Sequence, residues 1–190
     1  MTRQQFLHGN GIRSTLSQDL GFGADAPVFH ALLTFKDVAD WMYYRTAWPE
    51  ANAKLRNDTA ALIRQPVQNA WAEILTTAIT QPGAPPANFV LRMVWTPLPG
   101  RGGELGAMMV EWAQKRAALG FRFSVANQIL GLDAGSLISN VGFERIEEWE
   151  DLRSHGSDDE TRQYLAAVSP LLSELPRSEL LQTLVPMPSA

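Results

Sequence analysis

The sequence predicts an α+β fold of two βαββαβ units in tandem, the ferredoxin-like arrangement, and three observations carry the prediction. The phrase FKDVADW at 35–41 returns as FERIEEW at 143–149. Each copy opens with Phe, carries Val or Ile three places on, and closes with an acid and a Trp. Extended backwards at one offset, Gly23-Ala24-Asp25-Ala26 falls on Gly131-Leu132-Asp133-Ala134. Each unit therefore has a Gly/Asp turn eight residues ahead of its phrase. Finally, the strand-like and helix-like patterns after residue 87 read β-α-β-β-α-β in full.

In the first unit a strand is expected within Ile12–Leu20, and another in PVFHALLT (27–34), which is rich in apolar residues. A short helix near 37–46 and a longer one near 49–65 follow, because Pro49 cannot extend a helix past Trp48. VQNAWAEILTTA (67–78) is the closing strand. Too few residues precede Ile12 for a strand and a full helix. The unit is thus read as lacking its first strand and most of its first helix, with TRQQFLHGNG as the last turns of the remnant. ITQPGAPPA (79–87) is a linker stiffened by prolines, and at ~3.1 Å per residue it is long enough to cross from one sheet to the other.

The second unit starts with the strand NFVLRMVWTPLPG (88–100), which ends in a Pro/Gly turn. RGGELGAMMVEWAQKRAALG (101–120) is a helix with Leu105, Met108, Met109, Trp112 and Leu119 near one face and Gly120 as its C-terminal stop. FRFSVANQILG (121–131) and SLISNVGFE (136–144) form a hairpin. SDDE (157–160) reads as a capping box, Ser157 accepting from the Glu160 amide, and it launches a helix that buries Leu165, Val168 and Leu172. RSELLQTLVPM (177–187) is the last strand. The division is 1–78 for the shortened unit, 79–87 for the linker and 88–190 for the complete unit.

Such a unit covers one sheet face with helices and leaves the other bare. Burying a large apolar side chain is worth roughly 1.5–3 kcal/mol, so two bare faces are expected to press together as a barrel. The Phe and Trp of the repeated phrase then seat the start of each second helix.

Composition narrows the partners. The chain has 190 residues, 45% of them apolar, which allows a sizeable core without staples. It has no cysteine, which removes disulfides, a thiol nucleophile and thiolate metal sites. With a net charge of -4 and no run of Lys or Arg, nucleic acid is not an expected partner. No stretch approaches the ~20 apolar residues of a bilayer span, and MTRQQFLHGNGIRS has no signal-peptide core. A cytoplasmic protein without a membrane partner is expected.

VLRMVWTPLPGRGGEL, RAALGFRFSVANQILG, FERIEEWEDL and LLQTLVPM together resemble the dimeric α+β barrel superfamily, nearest its antibiotic-biosynthesis monooxygenase-like and NIPSNAP-like branch. The resemblance covers 88–187 well and 13–78 more loosely. It implies a barrel made by one chain, with a second chain, as a homodimer, the alternative means of closure. It also implies small-molecule chemistry of secondary metabolism. Members include cofactor-independent monooxygenases acting on aromatic polyketides, haem degraders, chlorite-disproportionating enzymes and lactone isomerases. Fold does not choose among them. Haem is disfavoured here, because the haem-using branches carry an axial His on or near the second helix and 158–172 has none.

The candidate site follows from strand alternation. His30 points opposite to Phe29, Ala31, Leu33 and Phe35, and is expected inside the barrel with Leu32 beside it. Arg92 and Asn140 share that inward parity, and a buried Arg or Asn needs a partner, water or ligand. His30, Asn140 and Arg92 are the candidate catalytic groups. Trp95 and Trp71 are the candidate aromatic wall, and Asn127 or Gln128 the polar group of the neighbouring strand, with Asn127 assigned to the substrate. The competing reading is a buried structural His and rim-facing polar groups. His8 and His155 are expected near loops or in solvent. No two His residues share an element and no His/Asp/Glu cluster has ligand spacing, so no metal or other cofactor is expected. PGRGGEL lacks the Lys-Ser/Thr of a phosphate loop. Glu147-Glu148 and Asp158-Asp159 read as capping and solvation.

The expected function is cofactor-independent monooxygenation of an apolar or aromatic metabolite in the barrel interior. The alternatives are a cyclase or isomerase in the same pocket, and a non-catalytic ligand-binding or structural barrel. The volume and polarity of the interior discriminate.

Overall fold

The structure, a computed structural model, describes residues 13–20, 28–47, 70–78, 87–131, 133–155 and 158–185. The first part of the chain supplies β1 (Arg13–Asp19), β2 (Phe29–Thr34), α1 (Val38–Ala47) and β3 (Trp71–Ala78). The second supplies β4 (Phe89–Trp95), α2 (Gly102–Ala118), β5 (Arg122–Leu130) and β6 (Leu137–Phe143). It continues with α3 (Glu148–His155), α4 (Asp159–Val168), a 3₁₀ turn (Ser169–Leu171) and β7 (Arg177–Val185). The expected longer helix at 49–65, all but the last residue of the 79–87 linker, and His8 lie outside the described residues.

Among the described residues all strand pairs are antiparallel, and they form one seven-stranded sheet in the order β2-β1-β7-β4-β6-β5-β3. This corrects the expectation of two sheets pressed face to face. Strands from the two parts of the chain share hydrogen bonds directly, β1 with β7 and β3 with β5, so the sheet is continuous. It curls, because side chains of β2 and β4 meet although β1 and β7 lie between them.

Alternation sorts the side chains onto two faces. Leu91 and Trp95 of β4, Phe123 and Val125 of β5, and Leu137 and Val141 of β6 are buried in one core with Leu105, Met109 and Ala113 of α2 and Val168 of α4. Leu105 and Met109 are among the largest fully buried side chains, which fixes α2 over the sheet. Gly120, at φ +100°, stops α2 as anticipated, its amide bonding to the Ala117 carbonyl. The cap of α4 is one residue later than anticipated. Asp158 is in extended conformation and accepts from the Thr161 amide at 2.6 Å, and Ser157 lies outside the described residues. The Asp158 charge also meets Arg116 at 3.0 Å.

The other face of the sheet carries Val94, Ala126, Gln128, Leu181 and Ser17, all buried. His30, Arg92 and Glu179, on the same concave side, keep 27%, 21% and 32% side-chain exposure.

Candidate functional site

Two constellations lie back to back across the sheet. The first is polar and concave. Register places Glu179, Arg92, Asn140 and Ser124 side by side on β7, β4, β6 and β5. Arg92 Nε donates to Asn140 Oδ1 at 3.3 Å, and Asn140 Nδ2 donates to Ser124 Oγ at 3.1 Å. Arg92 Nη1 lies 3.2 Å from His30 Nδ1 and 3.9 Å from Glu179 Oε2. The structure thus brings together His30, Arg92 and Asn140, and adds Glu179.

The protonation of this cluster follows from donor chemistry. A guanidinium only donates, so His30 Nδ1 is the acceptor and the neutral ring carries its proton on Nε2. That nitrogen faces Glu179 Oε2 at 4.0 Å, too far for a hydrogen bond, and both atoms are buried without a hydrogen-bond partner among the described residues. Burial holds the His30 pKa below its ordinary value; Arg92 adds to the lowering, while Glu179 and Asp19 oppose it. Burial likewise lowers the Arg92 pKa, against Glu179 and Asp19. With its one basic lone pair occupied by Arg92, the imidazole has none to offer a substrate.

The second constellation is an apolar cavity of about 220 Å³ between the sheet and helices α2, α3 and α4. Leu91, Met93 and Trp95 of β4 form its floor with Phe123, Val125 and Val141. Met109 and Trp112 come from α2, Trp149 from α3, and Tyr164 and Leu165 from α4. Trp112 stacks on Tyr164 with centroids 4.5 Å apart and planes 6° from parallel. Burial lifts the Tyr164 pKa well above the usual phenol range. The polar lining is small. Ser139 accepts from the Trp95 indole at 2.9 Å, and Arg116 is paired with Asp158 at 3.0 Å and bonded to the Thr161 hydroxyl. The Thr161 amide, the Thr161 hydroxyl and Arg116, in that order, hold the Asp158 carboxyl down at about 2.

The aromatic expectations change accordingly. Trp95 faces the helices and not Arg92, because it shares the parity of Leu91 and Met93. Asn127 pairs with Leu137, which is on the helix side; Gln128, two residues on from Ala126, is the buried concave residue. Trp71 packs edge-on against Trp41 of α1, with ring centroids 4.1 Å apart, and not beside Trp95. Leu32 pairs with Thr15 in the sheet, but its side chain, like that of His155, lies outside the described residues. Sequence reasoning missed Glu179, Arg116 and Tyr164. Glu179 was discoverable as an acid within the apolar alternation of RSELLQTLV.

No protein-family profile matches the chain, and no curated protein matches its sequence. Solved structures share its fold, three of which follow. An anthrone oxidase-like protein superposes with a TM-score of 0.62 at 18% identity, covering 94% of this chain and 79% of its own. A Fusobacterium nucleatum subsp. nucleatum protein named as a monooxygenase gives 0.69 at 10% identity, covering 92% and 76%. A Lactobacillus acidophilus protein named likewise gives 0.64 at 11% identity, covering 95% and 81%. The chain therefore has a monooxygenase-like α+β fold with a curled antiparallel sheet. Among the described residues no helix is long and apolar enough to cross a membrane.

Proposed function

We propose that the protein takes an apolar aromatic small molecule into the cavity between sheet and helices, and oxidises it as a cofactor-independent monooxygenase. The observation that carries this reading is the cavity, about 220 Å³ and walled by Trp95, Trp112, Phe121, Phe123, Trp149 and Tyr164. Aromatic walls of this kind offer large contact area in fixed geometry. The names of the structural neighbours support the reaction class. A substrate of the anthrone kind supplies its own electrons: its CH₂ becomes C=O, one oxygen atom of O₂ enters the product, and the other leaves as water with both hydrogens. We assign His30, Asn140 and Arg92, first expected as catalytic groups, to holding the curl of the sheet, since Arg92 occupies the His30 lone pair.

Titration of tryptophan fluorescence with anthrone tests binding, and oxygen uptake with one quinone formed per O₂ tests turnover. Saturable quenching with uptake supports the oxygenase. Saturable quenching without uptake above the uncatalysed rate leaves a ligand carrier. That second reading has its own observation: the Ser139, Arg116 and Thr161 side chains lining the cavity already bond to protein groups. Absence of quenching removes both.

The strand order supports a doubled architecture. With 1–78 and 88–190 as the two units and 79–87 as the linker, the sheet reads third and second strands of the first unit, then fourth, first, third and second of the other, then fourth of the first. The two junctions are alike, each a second strand against the other unit's fourth.

A further inference from the structure

We infer that Arg116 is the group that fixes an oxygen atom of the bound aromatic molecule, and that Asp158 sets the charge this oxygen is allowed; the inference rests on the cavity reading above. Among the described residues lining the cavity, Arg116 is the single cation. Its side chain is only 5% exposed. Among the described residues its side-chain bonds all come from Nη2, to Asp158 Oδ1 and Oδ2 at 3.3 and 3.0 Å and to the Thr161 hydroxyl. Nε and Nη1 have no acceptor among the described residues. Neither nitrogen is among the buried unpaired atoms, so both keep solvent contact, and an acceptor that enters with a ligand takes the place of water on a charged donor. The guanidinium carbon also sits 4.3 Å from the Trp112 ring centroid, so the donors lie beside the aromatic wall and in fixed relation to it.

The chemical class of the oxygen follows from Asp158. It stays ionised, because the Thr161 amide and hydroxyl and Arg116 all stabilise the anion. The Arg116–Asp158 pair is thus neutral overall. A ketone or phenol oxygen completes the Arg116 shell without adding charge, whereas a carboxylate brings a second anion towards Asp158. The ligand is therefore an aromatic ketone or phenol in preference to an aromatic acid. Ser139 is already the acceptor for the Trp95 indole and the Thr161 hydroxyl is already bonded to Arg116, so Tyr164 is the competing anchor among the described residues of the wall.

The test uses three probes of one shape, naphthalene, 2-naphthol and 2-naphthoate, titrated against the full chain by tryptophan fluorescence. In Arg116→Met the ratio of 2-naphthol to naphthalene affinity falls on the order of tenfold relative to wild type. In Tyr164→Phe it does not. In Asp158→Asn, which retains a capping side chain, 2-naphthoate gains on 2-naphthol. An unchanged ratio in Arg116→Met, or its loss in Tyr164→Phe, overturns the role of Arg116 while leaving the cavity as the site. Failure of wild type to bind any probe overturns the cavity reading and this inference with it. Should Arg116→Met not fold, Asp158→Asn decides alone, and no gain for 2-naphthoate overturns the inference.

Discussion

Replacing Arg92 by Met separates the two faces of the sheet by experiment. The substitution keeps an unbranched side chain but removes the donor to His30 at 3.2 Å, the donor to Asn140 at 3.3 Å and the charge 3.9 Å from Glu179. Removing one partner of a buried ion pair costs ~3–5 kcal/mol, chiefly because the other is left uncompensated. Here the pair is long and the side chains retain 21% and 32% exposure, so the lower end applies. A loss of about 3 kcal/mol lowers Tm by ~6–12 °C in a chain of this size. Thermal or urea unfolding followed by circular dichroism measures it. The double variant Arg92→Met/Glu179→Leu removes both charges together and should recover at least about half of the loss, because apolar replacement of a whole buried pair is often neutral. Below the transition, 2-naphthol affinity in Arg92→Met should stay within about twofold of wild type, as expected for a residue outside the cavity. Stability within ~1 kcal/mol of wild type would refute the claim that this network holds the curl. A large loss of affinity in the folded variant would return Arg92 to the site.

Three further outcomes follow from the same structure. The His30 pKa is depressed in the folded chain, so its contribution to stability is present above about pH 6.5 and lost as pH falls from there through the lower folded value; His30→Gln should flatten that limb of a urea-midpoint titration. Met109→Trp puts a larger ring into the cavity from α2, where Met109 is 2% exposed, and should weaken 2-naphthol binding on the order of tenfold or more by fluorescence titration. Gly142→Ala sets a Cβ 2.8 Å from the Ala87 Cβ, which is carried directly on backbone, so unfolding should show a loss of about 1–3 kcal/mol.

The strands were legible because alternation is local. Phe89, Leu91, Met93 and Trp95 all point one way and Arg92 the other, so the sequence itself already contradicted a pocket shared by Trp95 and Arg92. The same parity separates Asn127 from Gln128. What alternation does not encode is which face stays hollow. That depends on how α2 and α4 stand off the sheet, and on the Trp112–Tyr164 stack and the Arg116–Asp158 pair, each joining α2 to α4 or its cap across more than forty positions of chain. The meeting of His30 with Arg92 was legible as a shared inward direction; the tautomer it imposes was not, since that required the identity of the atom facing Nδ1.

The pairing of β1 with β7 has a consequence for how the molecule assembles. Gln18 lies opposite Gln182, so strands from the two ends of the described chain must find one another before either edge is hydrogen-bonded. Closing so long a loop is entropically slow to achieve although its cost grows only gently with length. Until β7 emerges during synthesis, the β1–β2 ribbon has no inner neighbour, and a two-stranded ribbon alone is marginal in water. The sheet should therefore acquire protease resistance all at once, when β7 slots between β1 and β4.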